Sequence, residues 1–551
     1  MKTYRNIIWI FVTGFMLLGC KKFVDKVPLD SFSDNDFWKS ENSLRTYNWE
    51  FYNLFTGYGT GASGDFYFSS FTDDQDASAI QTFPQNAAAS NAAWNFYWVR
   101  KANIMLERID GVPIDDAAKN HWKGIAKFFR AYTYFNLVKT FGGVPFINRS
   151  LDLPDTTLIY KGRDPRSLVM DSVLADLNFA VANLRTSDLA NTVNKNIALA
   201  LLSRVGLYEG TYRKYHTELS LPNSDIYLQA SKDAATQLMG AGYILNPDYQ
   251  TTYNSLDLST NKQVIMYKQY APGFLSHSVI GYTNSSTVMS GLTKNAVESY
   301  LTTDGLPITV SPSYKGDANI KDLRTNRDKR LLATIDTVLM YQGNLWNGFS
   351  SSTGYRPTKF LQPLDPNQLA PLNSTDAPLF GLPEVYLNYA EACAELSELG
   401  KYTFVQGDLD KSVNLLRSRA GVAPLQLTGV NGTAVNGVAF TDTKKDNDLS
   451  SLIWELRRER RTELMMDGFR FDDLMRWKKG WYMDNSKNPD IFLGARVPAN
   501  PRITLSPDGY LRVYAVTASR SFIDPKNYLS AIPTGQIALY ANGSLSQNPG
   551  W

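Results

Sequence analysis

The sequence predicts a mainly α-helical fold, a scaffold of tetratricopeptide-like helical hairpins interrupted by one large irregular insertion of loops and short strands. Three observations predict it. The stretch Trp122 to Ile147 repeats apolar residues with a helical period: Trp122, Ile125, Ala126, Phe129, Tyr132 and Phe135 fall at three- and four-residue steps. Further helical stretches follow as helix–turn–helix units at a spacing of roughly 30 to 35 residues, which suits stacked hairpins. Between Asn246 and Leu379 no helical period is sustained; short β-like runs alternate with Gly, Ser, Asn and Thr.

The elements can be taken in order. Ser33 or Asp34 is placed to cap a helix over Asp34–Phe55, whose stripe is Phe37, Leu44, Tyr47, Phe51 and Leu54. Gly57 to Asn91 is rich in small polar residues and isolated aromatics and reads as a long irregular excursion. A helix over Ala92–Ile109 closes it. In the Trp122 helix, Phe128, Tyr134, Leu137 and Val138 widen the apolar face, so neighbours must pack on several sides. Gly142-Gly143 stops this helix and Pro145 bars its continuation. Asp164-Pro165 opens a helix to Leu184, and others span Asn194–Tyr208 and Ile226–Met239. After the insertion, helices resume at Pro383 and at Leu409–Ala420, each ended by a glycine. Leu425–Asp448 reads as a polar loop.

Leu452 to Trp477 carries the densest charge. Glu455, Glu459 and Glu463 would suit paired acid/base catalysts, and the arginines phosphate binding. Alternating signs at helical spacing favour structural ion pairs instead.

Composition excludes several functions. The 551 residues allow one large domain or a few ordinary ones. A net charge of +3 gives no field for nucleic acid. Only His121, His216 and His277 are present, which excludes a His-rich metal site and argues against a His-based triad. No phosphate loop, zinc spacing or Ser-centred elbow occurs, so no cofactor is expected. Asp73, Asp74 and Asp76 lack the glycine and distal glutamate of a calcium loop. Aromatics reach 13%, a surplus that suggests recognition surfaces. Cys393 sits in an apolar helical run. Cys20 follows a basic start (Lys2, Arg5) and an apolar stretch, Ile7–Leu18, too short for a span. This resembles a bacterial lipoprotein signal: residues 1–19 would be removed and Cys20 lipidated. Residues 20–551 then form one domain, with helical scaffold at about 30–245 and 380–480 and an irregular ligand-binding insertion at about 246–379.

Several phrases also resemble one family. RAYTYFNLVKTFGGVPF from Arg130, WNFYWVRKANIMLERID from Trp94, LPEVYLNYAEACAEL from Leu382, the Glu-Arg-Arg-x-Glu-Leu run from Glu459 and the closing QNPGW occur in the order seen in the SusD/RagB family. That resemblance implies a surface-exposed outer-membrane lipoprotein that binds oligosaccharide, or in some members peptide, without catalysis. It also implies a SusC-like TonB-dependent transporter as partner. It carries over no single ligand residue, because Gly57–Asn91 and Ala271–Tyr355 are where members differ.

Sugars need an aromatic platform for their C–H face and polar groups for their hydroxyls. Phe66, Tyr67, Asp73, Asp74, Phe83 and Asn86 supply both in one excursion. Phe274, Tyr282, Asn284, Trp346 and Asn347 supply both in the other. The two excursions must then converge at one end of the scaffold. The rival readings are a secreted glycan-cleaving enzyme using two facing carboxylates, and a repeat scaffold that grips a protein partner.

Overall fold

The computed structural model describes residues 37–283, 289–340, 351–365, 367, 369–499, 501, 503–540 and 543–551. Helix α1, Glu41–Asn48, runs on as a 3-10 turn over Trp49–Leu54. Its cap is Ser40, whose hydroxyl accepts from the Ser43 N–H; Ser33 and Asp34 lie outside the described residues. Helix α2, Tyr97–Ile109, starts later than Ala92 because Asn91 and Asn95 fold the preceding residues into side-chain-bonded turns.

Helix α3, Asp116–Phe141, is the helix read from the aromatic stretch, and it is buried nearly all round. It ends at Gly142, which has a φ of 75°. The chain then folds back because the Tyr134 hydroxyl accepts from the Ile147 N–H at 2.7 Å. Helix α4 is Arg166–Asn183. Asp164 does not cap it; its carboxylate accepts from the Phe146 N–H at 2.7 Å, leaving Pro165 at the cap position. Helix α5, Lys195–Tyr215, outruns the predicted end at Tyr208. The extension buries Glu209 between Arg166 of α4 and Arg213 of its own face, at 2.6 and 2.8 Å. Helix α6 is Ser224–Met239.

After the insertion come α7, Leu382–Glu398, and α8, Val413–Ala420. A separate turn, Gln406–Asp410, precedes α8, so the single helix expected from Leu409 is broken at Ser412. Helices α9, Ser451–Glu463, and α10, Arg470–Arg476, complete the frame. The bend between them passes through Gly468, φ 85°, where any Cβ would collide with the Asp65 carbonyl of the first excursion.

The helices stack in chain order: α2 on α3, α3 on α4, α4 on α5, and α5 on α6. Helix α7 takes the next place against α6, although the whole insertion separates them in sequence. Helix α9 then packs on α7 and α10 on α5. The frame is therefore a mainly helical, tetratricopeptide-like stack.

The strands are short. β1 (Gln75–Ala77), β2 (Val264–Lys268), β3 (Ser290–Leu292) and β4 (Ala377–Gly381) form two antiparallel pairs, β1 with β3 and β2 with β4. The β2–β4 pair closes the neck of the insertion where the chain leaves and rejoins the stack. The insertion also holds one-turn helices at Lys294–Ser299 and Lys329–Thr334. The polar loop expected over Leu425–Asp448 instead contains a meander, β5 (Gln426–Thr428), β6 (Gly432–Val435) and β7 (Val438–Ala439). A last pair joins β8 (Leu493–Arg496) to β9 (Tyr510–Arg512).

Among the described residues two apolar cores are much larger than the rest. The larger lies within the helical stack. The second belongs to the irregular half and mixes Tyr58, Phe66 and Tyr67 of the first excursion with Tyr300, Tyr355 and Phe360 of the insertion.

A seam of buried charge joins the two halves. The Arg330 guanidinium, from the insertion, lies 2.7 Å from Glu459 and 3.0 Å from Glu463, both on α9, and 2.6 Å from Asp328. Glu459 also takes Arg417, and Glu463 takes Arg419, both from α8. Lys359 reaches Asp467 at 2.5 Å. The charges of Leu452–Trp477 are thus structural pairs, mostly between elements. Arg330→Ala leaves Glu459 and Glu463 buried without this partner, and breaking such a pair costs about 3–5 kcal/mol. Chemical denaturation is expected to show that loss; an unmoved midpoint would rule out the seam as a determinant of stability.

Candidate ligand-binding face

The two irregular excursions meet. β1 lies against β3 with Gln75 opposite Leu292 and Ala77 opposite Ser290. Beside this pair the Gly61 N–H donates to the Ser278 hydroxyl at 2.8 Å, and the Ser78 N–H donates to the Met289 carbonyl at 2.9 Å. The Ser352 hydroxyl donates to the Asp76 carbonyl at 2.6 Å. The described parts of segments 57–91 and 271–355 are therefore in contact. Asn284, Trp346 and Asn347 lie outside the described residues.

The structure places the other sequence-predicted residues unequally. Asp73 is buried, and both its oxygens accept from Arg470 at 2.8 Å while Arg461 adds a bond at 3.2 Å. Burial opposes its ionisation, but these two guanidiniums hold its carboxyl below the ordinary range. Asp74 accepts from Arg461 at 2.6 Å, and burial pushes its pKa up. Asp76 pairs with the buried Arg520 at 3.2 Å. Asp73 and Asp74, candidates for bonding ligand hydroxyls, are instead committed to arginines, as is Asp76. Among the described residues, no group of three or more His, Cys, Asp or Glu side chains is placed to hold a metal ion.

The aromatics of the first excursion are corrected in the same way. Phe66 packs edge-on against Tyr58, with ring centres 4.8 Å apart. The buried Tyr67 hydroxyl accepts from the Ser290 N–H at 3.1 Å, which helps hold β3. Phe83 is buried with Leu474, Met483 and Phe522. These three candidate ligand rings instead line the second core and the apolar cluster beside α10.

Asn86 is exposed, Phe274 is 94% exposed, and Tyr282 is half-buried. Tyr282 stands edge-on to Phe68, ring centres 5.5 Å apart, and both lie with Met289 and Leu339 over the second core. Phe68, the half-buried neighbour of the buried Tyr67, is a residue that the sequence reading missed. Arg356 flanks this surface, donating to the Thr283 carbonyl at 3.1 Å and pairing with Asp336 at 2.6 Å. The face thus offers the half-buried rings of Phe68 and Tyr282 and apolar surface, with the buried Arg356 already committed to its own partners.

Below it, a cavity of about 370 Å³ lies between α3, α5 and the insertion neck, lined by Phe66, Tyr132, Tyr208 and Phe380. Lys139 there pairs with Asp472 at 2.5 Å and Arg204 with Glu384 at 2.7 Å, while Asp65 accepts from the Gly57 N–H at 3.1 Å.

The model of the SusD family matches residues 248–551, more than half of the chain. The chain belongs to the SusD family. A second model, described as starch-binding and associating with the outer membrane, matches residues 39–207. A SusD-like protein of Formosa agariphila is 24% identical over 508 residues, covering 87% of this chain and 93% of that protein. A solved SusD-like carbohydrate-binding protein from Bacteroides fragilis superposes with a TM-score of 0.68 at 21% identity, covering 91% of this chain and 98% of that one. A laminarin-binding SusD-like protein gives 0.61 at 19% identity, covering 93% and 100%. These structures share the SusD fold seen here.

One titratable group ties the face together. His277 is fully buried; its Nε2 faces the Thr375 carbonyl at 3.0 Å, and its Nδ1 accepts from the Val279 N–H at 3.3 Å. Both bonds suit the neutral ring, and burial pushes its pKa down to about 3 from 6.5. A depressed pKa gives stability that is present above 6.5 and lost as pH falls towards 3, at about 1.4 kcal/mol per pH unit. Between pH 6.5 and 5, His277→Asn is expected to lose about 2 kcal/mol less stability than the parent. Denaturation curves at both pH values check this; equal losses would mean that His277 does not carry the acid sensitivity.

Proposed function

We propose that this chain is an outer-membrane lipoprotein that binds oligosaccharide at the face shared by its two excursions and hands it, uncleaved, to a TonB-dependent transporter. The observation that supports this reading is the meeting of both excursions at β1 and β3, since the proposed site needs aromatic and polar groups from both. A sugar ring rests its C–H face on such rings and bonds its hydroxyls to the polar border. Family relatives described as carbohydrate-binding and laminarin-binding support a glycan as the ligand. A family model described as associating with the outer membrane supports the location. Lipidation of Cys20 would supply the anchor, since several acyl chains at about 0.8 kcal/mol per buried methylene hold stably. The carboxylates that a glycan-cleaving enzyme would need, Asp73 and Asp74, are neutralised by arginines.

Calorimetry of the protein lacking residues 1–20 against neutral glycans and peptides tests the ligand class. Saturable glycan binding with no release of reducing ends is expected, and time-dependent product formation would refute the reading. Phe274→Ala is expected to weaken glycan binding roughly three- to tenfold.

A further inference from the structure

A second cleft, also about 370 Å³, lies on different elements. The short helix Lys294–Ser299, the stretch Pro307–Thr309, the residues after β7, helix α9 and the turn 481–490 surround it. Its lining includes none of Phe68, Phe274, Tyr282 or Arg356, although Arg461, which binds Asp73 and Asp74, borders it. Three half-buried aromatics, Trp454, Trp481 and Tyr482, line it.

Most of its polar groups are occupied. The Trp454 indole donates to Asp442 at 3.2 Å and the Tyr482 hydroxyl to Asp446 at 2.6 Å. Asp442 also holds Arg458, and Asp446 pairs with Lys479 at 2.7 Å. Glu298 is matched by Lys294 and Lys444, at 2.8 and 2.6 Å, and Asp490 by Lys294 at 2.9 Å. Arg461 is turned to Asp73 and Asp74. Every carboxylate lining the cleft therefore has a cation.

Three groups remain without a hydrogen-bond or ion-pair partner among the described residues: the Trp481 indole N–H, the Asn295 side-chain amide and the exposed Lys487 ammonium. Asp484, whose oxygens accept from the Ser486 hydroxyl and from the Ser486 and Phe522 N–H groups, feels the Lys487 charge but makes no close ion pair with it. Tyr482 stands perpendicular to the Trp481 ring, centres 4.3 Å apart, and the Lys479 ammonium lies 5.8 Å from its centre, so what the cleft leaves open is part of an indole ring, two neutral hydrogen-bonding groups and one positive charge. An indole face with an adjacent N–H suits a pyranose ring, and the ammonium suits an anionic substituent on it.

We propose that this cleft is a second saccharide site, selective for a sugar bearing an anionic group, a uronate carboxylate or a sulfate ester. Trp481 stacks on the ring, Asn295 bonds a hydroxyl and Lys487 neutralises the charge. The site does not depend on the glycan reading of the first face.

The test uses the full-length protein in detergent. Calorimetry with trigalacturonate, its neutral methyl ester and a sulfated galactan oligosaccharide separates the two anionic sources from a neutral ring. Binding of either anionic probe, at least fivefold tighter than the methyl ester and weakened by added salt, is expected. Lys487→Gln, at an exposed position, should abolish the preference, and Trp481→Phe should weaken binding of the anionic probe. Phe274→Ala should leave it unchanged while lowering affinity for neutral glycans at the first face. Equal binding of charged and neutral probes, no binding of any probe, or anionic binding insensitive to Lys487→Gln would overturn the proposal.

Discussion

The buried charges on α9 and its continuation determine how the two halves of the molecule meet. Arg330 and Lys359 come from the insertion, while Arg461 and Arg470 reach out to Asp73 and Asp74 of the first excursion. Each irregular segment is thus fixed to the frame by charges withdrawn from water. Taking those charges out of water is costly, and apolar substitutes of equal volume would often hold as well. An unpaired buried charge is far worse, so an arrangement that leaves any of them unmatched is heavily penalised. That penalty selects one docking geometry for segments with little regular structure of their own.

The frame was largely legible in the sequence because its signals are local. The period of α3, its glycine stop and the recurrence of hairpins all lie within short windows. The candidate site was less legible because its partners are distant: Asp73 meets Arg470 from 397 positions away. A run of three aspartates without nearby cations looks solvent-facing until the fold supplies the arginines. Phe66, Tyr67 and Phe83 failed for a related reason, since an irregular backbone gives no period that separates inward from outward side chains. The β6–β7 hairpin did have a local signal. Asn436-Gly437, with φ of 50° and 77°, is the pair such a tight turn favours, and it was read as loop.

The high aromatic content also takes on a different meaning. Much of it fills the two cores; Tyr58, Tyr67, Tyr249, Tyr253, Tyr300 and Tyr355 are all buried. A tyrosine-rich core suits an irregular region, because each hydroxyl can satisfy a stray backbone group while the ring fills space. Tyr58 does this for the Tyr253 carbonyl at 2.6 Å, and Tyr249 for the Glu463 carbonyl at 2.9 Å. The aromatics left for recognition are the few that these duties do not claim.

The β2–β4 pair has a consequence for how such a molecule can diversify. Because the chain departs and returns at adjacent strands, α6 and α7 keep their contact whatever is threaded between them. Lengthening, shortening or rewriting that excursion displaces no helix of the stack, and loop closure grows only slowly more costly with length. One inherited chassis can therefore be refitted by editing the sequence between two clasped strands, so long as the arginine and lysine that fasten it are kept.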